Sequence, residues 1–231
     1  MHKTIGILGG MSPESTVAYY EYITRTYTER FGDYGYPEIL IYSVSFQTYV
    51  DWPREDRWDL VAEGLSKAAG TLEVAGADVI LMATNTMHIV FGEVEASVNV
   101  PMLSLLDAVG EAIRQRSIDT VGLLGTAFTM EKPFYQEGLT EKGIAVLVPD
   151  PADRKLVNDV IYDELVAGEI RDASRNQFVR IINDLMGRGA AGVILGCTEI
   201  PLLVREEDVG VPLFDTTEIH AEAALRYAAE R

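Results

Sequence analysis

Residues 193–203 read Val-Ile-Leu-Gly-Cys-Thr-Glu-Ile-Pro-Leu-Leu, and residues 81–88 read Leu-Met-Ala-Thr-Asn-Thr-Met-His. Each begins as an apolar run and ends in a turn of small polar residues. One turn holds Cys197, the only cysteine of the chain; the other holds Thr84 at the matching place. A short apolar run bounded by turn signals reads as a strand covered on both faces, the habit of parallel sheets.

Other stretches pair in the same way. Gly6-Ile7-Leu8-Gly9-Gly10 matches Gly122-Leu123-Leu124-Gly125-Thr126, and Val100-Pro101-Met102-Leu103 matches Val211-Pro212-Leu213-Phe214. The spacings between these anchors agree within a few residues, which indicates a duplicated half. In the first half, strands are predicted at Thr4–Leu8, Ile39–Ser45, Val79–Ala83 and Val100–Leu103. Helices are predicted over Val17–Arg30, Asp56–Val74 and Ser104–Arg114, with Ser12 as N-cap and Pro13 at the first helical position. In the second, strands are predicted at Val121–Leu124, Ile144–Val148, Val193–Leu195 and Val211–Phe214. Helices are predicted over Met130–Lys142, Asp153–Leu165, Ala173–Arg188 and Thr217–Ala229. The clusters Trp52–Arg57 and Arg205–Asp208 read as surface turns. The expected fold is α/β, with two pseudo-symmetric lobes, each a mostly parallel four-stranded sheet flanked by helices. One lobe takes residues 1–103 plus 216–231, the other 104–215. Ligand sites of such sheets lie at the carboxyl ends of the strands. Gly9-Gly10, Thr84, Thr126 and Cys197 all fall there, so a cleft between the lobes would hold them together.

Composition narrows the chemistry. The 231 residues are 48% hydrophobic, enough for a packed core, and carry a formal charge of −17. That balance argues against nucleic acid or an anionic membrane surface as partner. No run of about 18 apolar residues suggests a membrane span, and no leader-like start is seen, so a cytoplasmic protein is expected. One cysteine excludes an internal disulfide framework, and His2, His88 and His220 lack metal-ligand spacing. Gly6–Gly10 lacks the dinucleotide-binding spacing, no phosphate-loop motif occurs, and Ser12 and Ser15 lack a nucleophilic-serine context.

A free cysteine is ordinarily an inert packing residue. At a duplicated strand end, before a helix predicted to open at Thr198 and Glu199, Cys197 is instead expected to be an acid/base group. The helix terminus should lower its pKa.

IGILGGMSPEST, LMATNTMH, VGLLGTAFTMEKPFY, VILGCTEIPLL and FDTTEIHAEAA, taken together along nearly the whole chain, resemble the aspartate/glutamate racemases that work without pyridoxal phosphate. The resemblance implies a cofactor-independent racemase, many of whose relatives are homodimers, acting on a small dicarboxylic amino acid. It implies two catalytic groups on opposite faces of one α-carbon. The common family pattern has cysteine in both turns; Thr84 departs from it and resembles a branch with L-specific members. On that basis Thr84 and Cys197 form the acid/base pair. A threonine hydroxyl is far less acidic than a thiol, so His88, one turn on, is a candidate relay, with helix packing as its alternative role. Substrate carboxylates would meet N–H donors of Gly10, Met11, Ser12, Asn85 and Thr86, and the Thr126, Thr129 and Thr198 turns. The ordinary alternative for these residue types is capping. Glu199 would accept from the substrate ammonium or merely favour the helix start by its charge, and Arg54 or Lys132 would pair with a distal carboxylate, most surface cations being solvated. Two rival readings are an arylmalonate-type decarboxylase using Cys197 alone and a non-catalytic carboxylate binder.

Overall fold

The computed structural model describes residues 2–229. They divide into two compact units, one running up to Ala108 and resuming at Thr217, the other spanning Val109–Thr216. In the first unit the elements are β1 (Ile5–Gly9), α1 (Pro13–Phe31), β2 (Ile39–Ser43), α2 (Phe46–Arg54), α3 (Trp58–Val74) and β3 (Val79–Met82). A 3-10 turn at Thr86–Val90, α4 (Phe91–Glu95), β4 (Met102–Leu103) and α5 (Leu105–Gln115) follow. The second half runs β5 (Thr120–Gly125), α6 (Ala127–Glu131), α7 (Pro133–Thr140), β6 (Ala145–Leu147), α8 (Pro151–Asp163) and a 3-10 turn at Leu165–Ala167. It continues through α9 (Asp172–Gly187), β7 (Val193–Gly196), α10 (Ile200–Leu203), α11 (Glu206–Val209), β8 (Leu213–Asp215) and α12 (Thr216–Ala229).

Each unit builds one four-stranded sheet, in order β2-β1-β3-β4 and β6-β5-β7-β8. All pairings are parallel, with Leu8 opposite Met82 and Gly125 opposite Gly196. The central strands β1, β3 and β7 are buried at every residue. Helices must therefore cover both faces. In the first unit, Val61, Leu65, Ala68 and Leu72 of α3 pack with Leu8, Ile80 and Met82. Tyr19, Ile23 and Tyr27 of α1 pack with Ile5, Ile7, Leu81 and, from α12, Ala221, Ala224 and Leu225.

The first turn is built by its glycines. Gly10 has φ +91°, and a Cβ there would sit 2.5 Å from the backbone of Val44; a Cβ on Gly9 would sit 2.5 Å from Thr16 Oγ1. These contacts let the chain fold tightly into α1, where Ser12 Oγ accepts from Ser15 N–H at 3.3 Å and Pro13 occupies the first position. Thr16 Oγ1 then accepts from Gly10 N–H at 2.8 Å and donates to Ser12 C=O at 3.0 Å.

Three sequence expectations change. Trp52–Arg57 is not simply a turn: Trp52, Pro53 and Arg54 end α2, whose Phe46, Tyr49 and Pro53 recur at helical spacing, with Tyr49 and Pro53 buried. Gly64 of α3 makes room for this helix, since a Cβ there would meet Tyr49 Oη at 2.5 Å. The helix predicted over Met130–Lys142 is two helices. Pro133 drives Lys132 out of helical backbone, to φ −77° and ψ 143°, and caps the second helix at its start. Arg205–Asp208 opens the one-turn helix α11, capped by Asp208 accepting from Arg205 N–H at 2.8 Å. Among the described residues, no helix is long and apolar enough to cross a membrane.

Candidate active site

In both sheets the chain leaves the centre in one direction and resumes on the other side of the first strand. The order reverses between β1 and β3, and between β5 and β7. In parallel sheets ligands bind at the carboxyl ends of the strands beside such a reversal. In the first unit the turns there are Gly9–Ser12 and Ala83–Thr86; in the second they are Thr126–Thr129 and Cys197–Glu199. The duplicated motifs thus stand where each sheet can receive a ligand.

Cys197 directly follows β7 and is half-buried. Its thiol donates to Glu199 Oε2 at 2.8 Å, and the same oxygen accepts from Thr198 Oγ1 at 2.9 Å. Glu199 is 6% exposed, so its carboxylate is aimed at these two donors rather than at bulk water. Burial pushes the thiol pKa well above its ordinary value, and the neighbouring Glu199 carboxylate pushes it further in the same direction. This reverses the sequence expectation. The helix does not open at Thr198: α10 begins at Ile200 and is four residues long, so its dipole is weak. The resting group is a neutral thiol held by a carboxylate.

Thr84 lies two residues beyond β3 and is 8% exposed. Its N–H donates to Met82 C=O at 2.9 Å, and its C=O accepts from His88 Nδ1 at 2.8 Å. Among the described residues, no group hydrogen-bonds to its hydroxyl. Asn85 is buried beside it and its C=O accepts from His88 N–H at 3.1 Å, while Thr86 is half-buried at the start of the 3-10 turn.

His88 does not serve as the expected relay. Its Nε2 accepts from Leu105 N–H at 3.1 Å, so its single proton sits on Nδ1 and goes to the Thr84 carbonyl, not the hydroxyl. Burial, with His220 alongside, lowers its pKa to about 3, and burial lowers that of His220 to about 4. A base whose folded pKa lies below its unfolded one stabilises the fold fully above the unfolded value and loses that contribution as pH falls. From 6.5 in the unfolded chain, each histidine should withdraw about 2 kcal/mol by pH 5, above the ordinary carboxylate range. Urea midpoints taken from pH 7 to pH 5 should fall steeply, and substitution of either histidine by Asn should flatten the slope.

The remaining predicted contacts divide. Thr126 caps α6, accepting from Thr129 N–H at 3.4 Å, and is 9% exposed. Thr129 is 1% exposed; its hydroxyl meets Thr126 Oγ1 at 3.2 Å and its methyl abuts Gly125 and Gly196. Its methyl supports the two turns. Of the first-turn donors, Gly10 N–H is committed to Thr16, and the Met11 side chain belongs to the core. Arg54 is exposed at the last residue of α2, about 12 Å along the helix from Phe46. It makes no ion pair among the described residues. Lys132 sits at the α6–α7 break. Sequence reasoning missed Asn158, whose Oδ1 accepts from Ala127 N–H at 2.9 Å and completes the α6 start. No motif marks it, because α8 reaches the turn only through the fold.

The family model for Asp/Glu/hydantoin racemases matches residues 8–224. The chain belongs to that family. It is an amino-acid racemase by that membership. Over 96% of both chains it is 25% identical to the broad-specificity amino-acid racemase RacX of Bacillus subtilis. A crystal structure of an aspartate racemase homologue from Pyrococcus horikoshii is 42% identical, with a TM-score of 0.87 over 100% of each chain. The Picrophilus torridus aspartate racemase is 25% identical, with a TM-score of 0.77 over 99% of this chain and 95% of its own. The glutamate racemase of Francisella tularensis, 15% identical with a TM-score of 0.68, shares the fold.

Proposed function

We propose that the protein interconverts L- and D-aspartate, and more slowly glutamate, with Cys197 and Thr84 on opposite faces of the α-carbon. The observation that carries this reading is the Cys197 thiol, donating at 2.8 Å to a buried carboxylate at the carboxyl end of β7. Thr84 stands at the matching end of β3 with its hydroxyl unengaged. A relative named as an aspartate racemase and another named as an aspartate racemase homologue support the choice of substrate.

In this reading the substrate ammonium pairs with Glu199. That neutralises the charge which keeps the thiol protonated, and the thiol releases its proton to water. The thiolate takes the α-proton, and the carbanion spreads into the α-carboxylate, held by N–H donors at Asn85, Thr86 and Thr198. The Thr84 hydroxyl gives a proton to the other face and recovers one from water. Protons balance over the cycle, and no second substrate is consumed. Because the two enantiomers have an equilibrium constant of one, kcat/KM is equal in both directions; kcat and KM separately differ with so unequal a pair. The family resemblance extends the proposal to a homodimer working in the cytoplasm.

The test incubates the protein with each enantiomer of aspartate, glutamate and several neutral amino acids, and with an arylmalonate. Loss of optical rotation of aspartate supports the reading. Release of CO₂ from the malonate, with aspartate unchanged, would replace it by a decarboxylase.

A further inference from the structure

Both histidines near the Thr84 turn are fixed in one tautomer. Leu105 N–H has only a proton to offer, so His88 Nε2 is bare and Nδ1–H donates to Thr84 C=O. The ring stacks on Phe91, centroids 5.2 Å apart and 4° from parallel, and meets His220 edge-on at 5.8 Å. The Leu103 carbonyl can only accept, so His220 Nε2 carries the proton that reaches it at 2.8 Å, and Nδ1 accepts from Tyr19 Oη at 2.9 Å. Each ring spends its one N–H on a backbone carbonyl. Neither has a proton to pass on, yet together they tie α1, α12, β4 and α5 to the turn that carries Thr84.

We infer that His88 is a positioning residue: its Nδ1–H bond to the Thr84 carbonyl fixes the backbone of Thr84, and so the place from which its hydroxyl reaches. The inference rests on the proposed role of Thr84. Without that bond the Thr84 backbone, two residues beyond the end of β3, can shift while the strand stays in place. A misplacement of roughly 1 Å at a reacting group lowers rates about 100-fold. The Cys197 side does not depend on it.

Two substitutions separate the two bonds of the ring. In Asn the amide nitrogen is as many bonds from Cβ as Nδ1, so His88→Asn keeps a donor for Thr84 C=O. In Gln the amide oxygen is as many bonds from Cβ as Nε2, so His88→Gln keeps the acceptor for Leu105 N–H and loses the donor. Proton NMR in D₂O follows the aspartate enantiomer that exchanges with retention, reading exchange and inversion together. For His88→Gln we expect exchange within about 3-fold of wild type and inversion down about 100-fold. For His88→Asn inversion should stay within about 10-fold of wild type. Equal loss of exchange and inversion in His88→Gln, or inversion at the wild-type rate, would overturn the inference. A measurement on the unaltered protein covers poor folding of the variants. Long-range ¹⁵N–¹H spectra should show the Nδ1–H tautomer of His88 from pH 6 to 8, with and without aspartate; a shift of the proton to Nε2 on adding aspartate would overturn it. An unaltered protein that neither exchanges nor inverts aspartate would instead defeat the proposed function, with the tautomer result still standing.

Discussion

Replacing Cys197 with Ala is expected to lower kcat roughly 10³-fold in both directions, because the variant loses one of the two proposed proton-transfer groups. The fold should survive. The side chain is half-buried, the substitution removes volume, and β7 stays paired with β5 and β8 on either side. Cys197→Ser is the sharper comparison. It keeps a donor for Glu199 Oε2, so it tests whether the thiol matters as a hydrogen-bond partner or as an acid. The second role predicts that Ser is nearly as inactive as Ala. Chiral chromatography of aspartate incubated with each variant gives the rates, and urea unfolding confirms that the loss is chemical.

Glu199→Gln should act in two opposite senses. The amide oxygen can still accept from Cys197 and Thr198, but the negative charge is gone. With one of the two causes of its raised pKa removed, the thiol ionises more readily, and iodoacetamide should alkylate the empty variant faster than the wild type at pH 8. In the proposed reaction the substrate ammonium, meanwhile, loses a charge-assisted partner of about 1.5–3 kcal/mol, so KM for aspartate is expected to rise roughly 10- to 100-fold. A more reactive thiol in a weaker enzyme is the signature of a carboxylate that holds the empty site neutral and greets the ammonium. Slower alkylation with an unchanged KM would contradict it. The same buried carboxylate offers a reason for the acidity difference between this thiol and one at a long helix start: four residues of α10 cannot offset an adjacent anion.

What could be read from the chain and what could not follow one rule. The alternating strands and helices, the duplicated anchors and the placing of Thr84 and Cys197 at strand ends are patterns of neighbouring residues, and they were visible directly. The Ser12 cap with Pro13 was legible for the same reason, since capping depends on three or four consecutive positions. Helix α2 was obscured because Pro53 and a run of charges look like turn chemistry, although the Phe46, Tyr49 and Pro53 stripe is present. The break at Lys132 is legible in principle from Pro133, but the surrounding helical periodicity masks it. The state of the thiol was out of reach: it depends on which way a buried Glu199 side chain turns. His88 was out of reach too, because its partner Leu105 lies 17 positions away and meets it only after β4 is in place. Thr129 reads as a ligand contact by type, and only the fold sets its methyl against two glycines.

The account stands or falls on Thr84 and Cys197 serving opposite faces of one carbon. The most direct measurement is α-proton NMR in D₂O of each aspartate enantiomer, separately, with the wild type and with Thr84→Val. The account predicts that the wild type inverts both enantiomers with deuterium entering Cα. Thr84→Val should exchange only the enantiomer whose α-proton faces Cys197, with retention, its inversion slowed about 100-fold. Inversion by Thr84→Val at the wild-type rate, or equal exchange of both enantiomers by that variant, would contradict it.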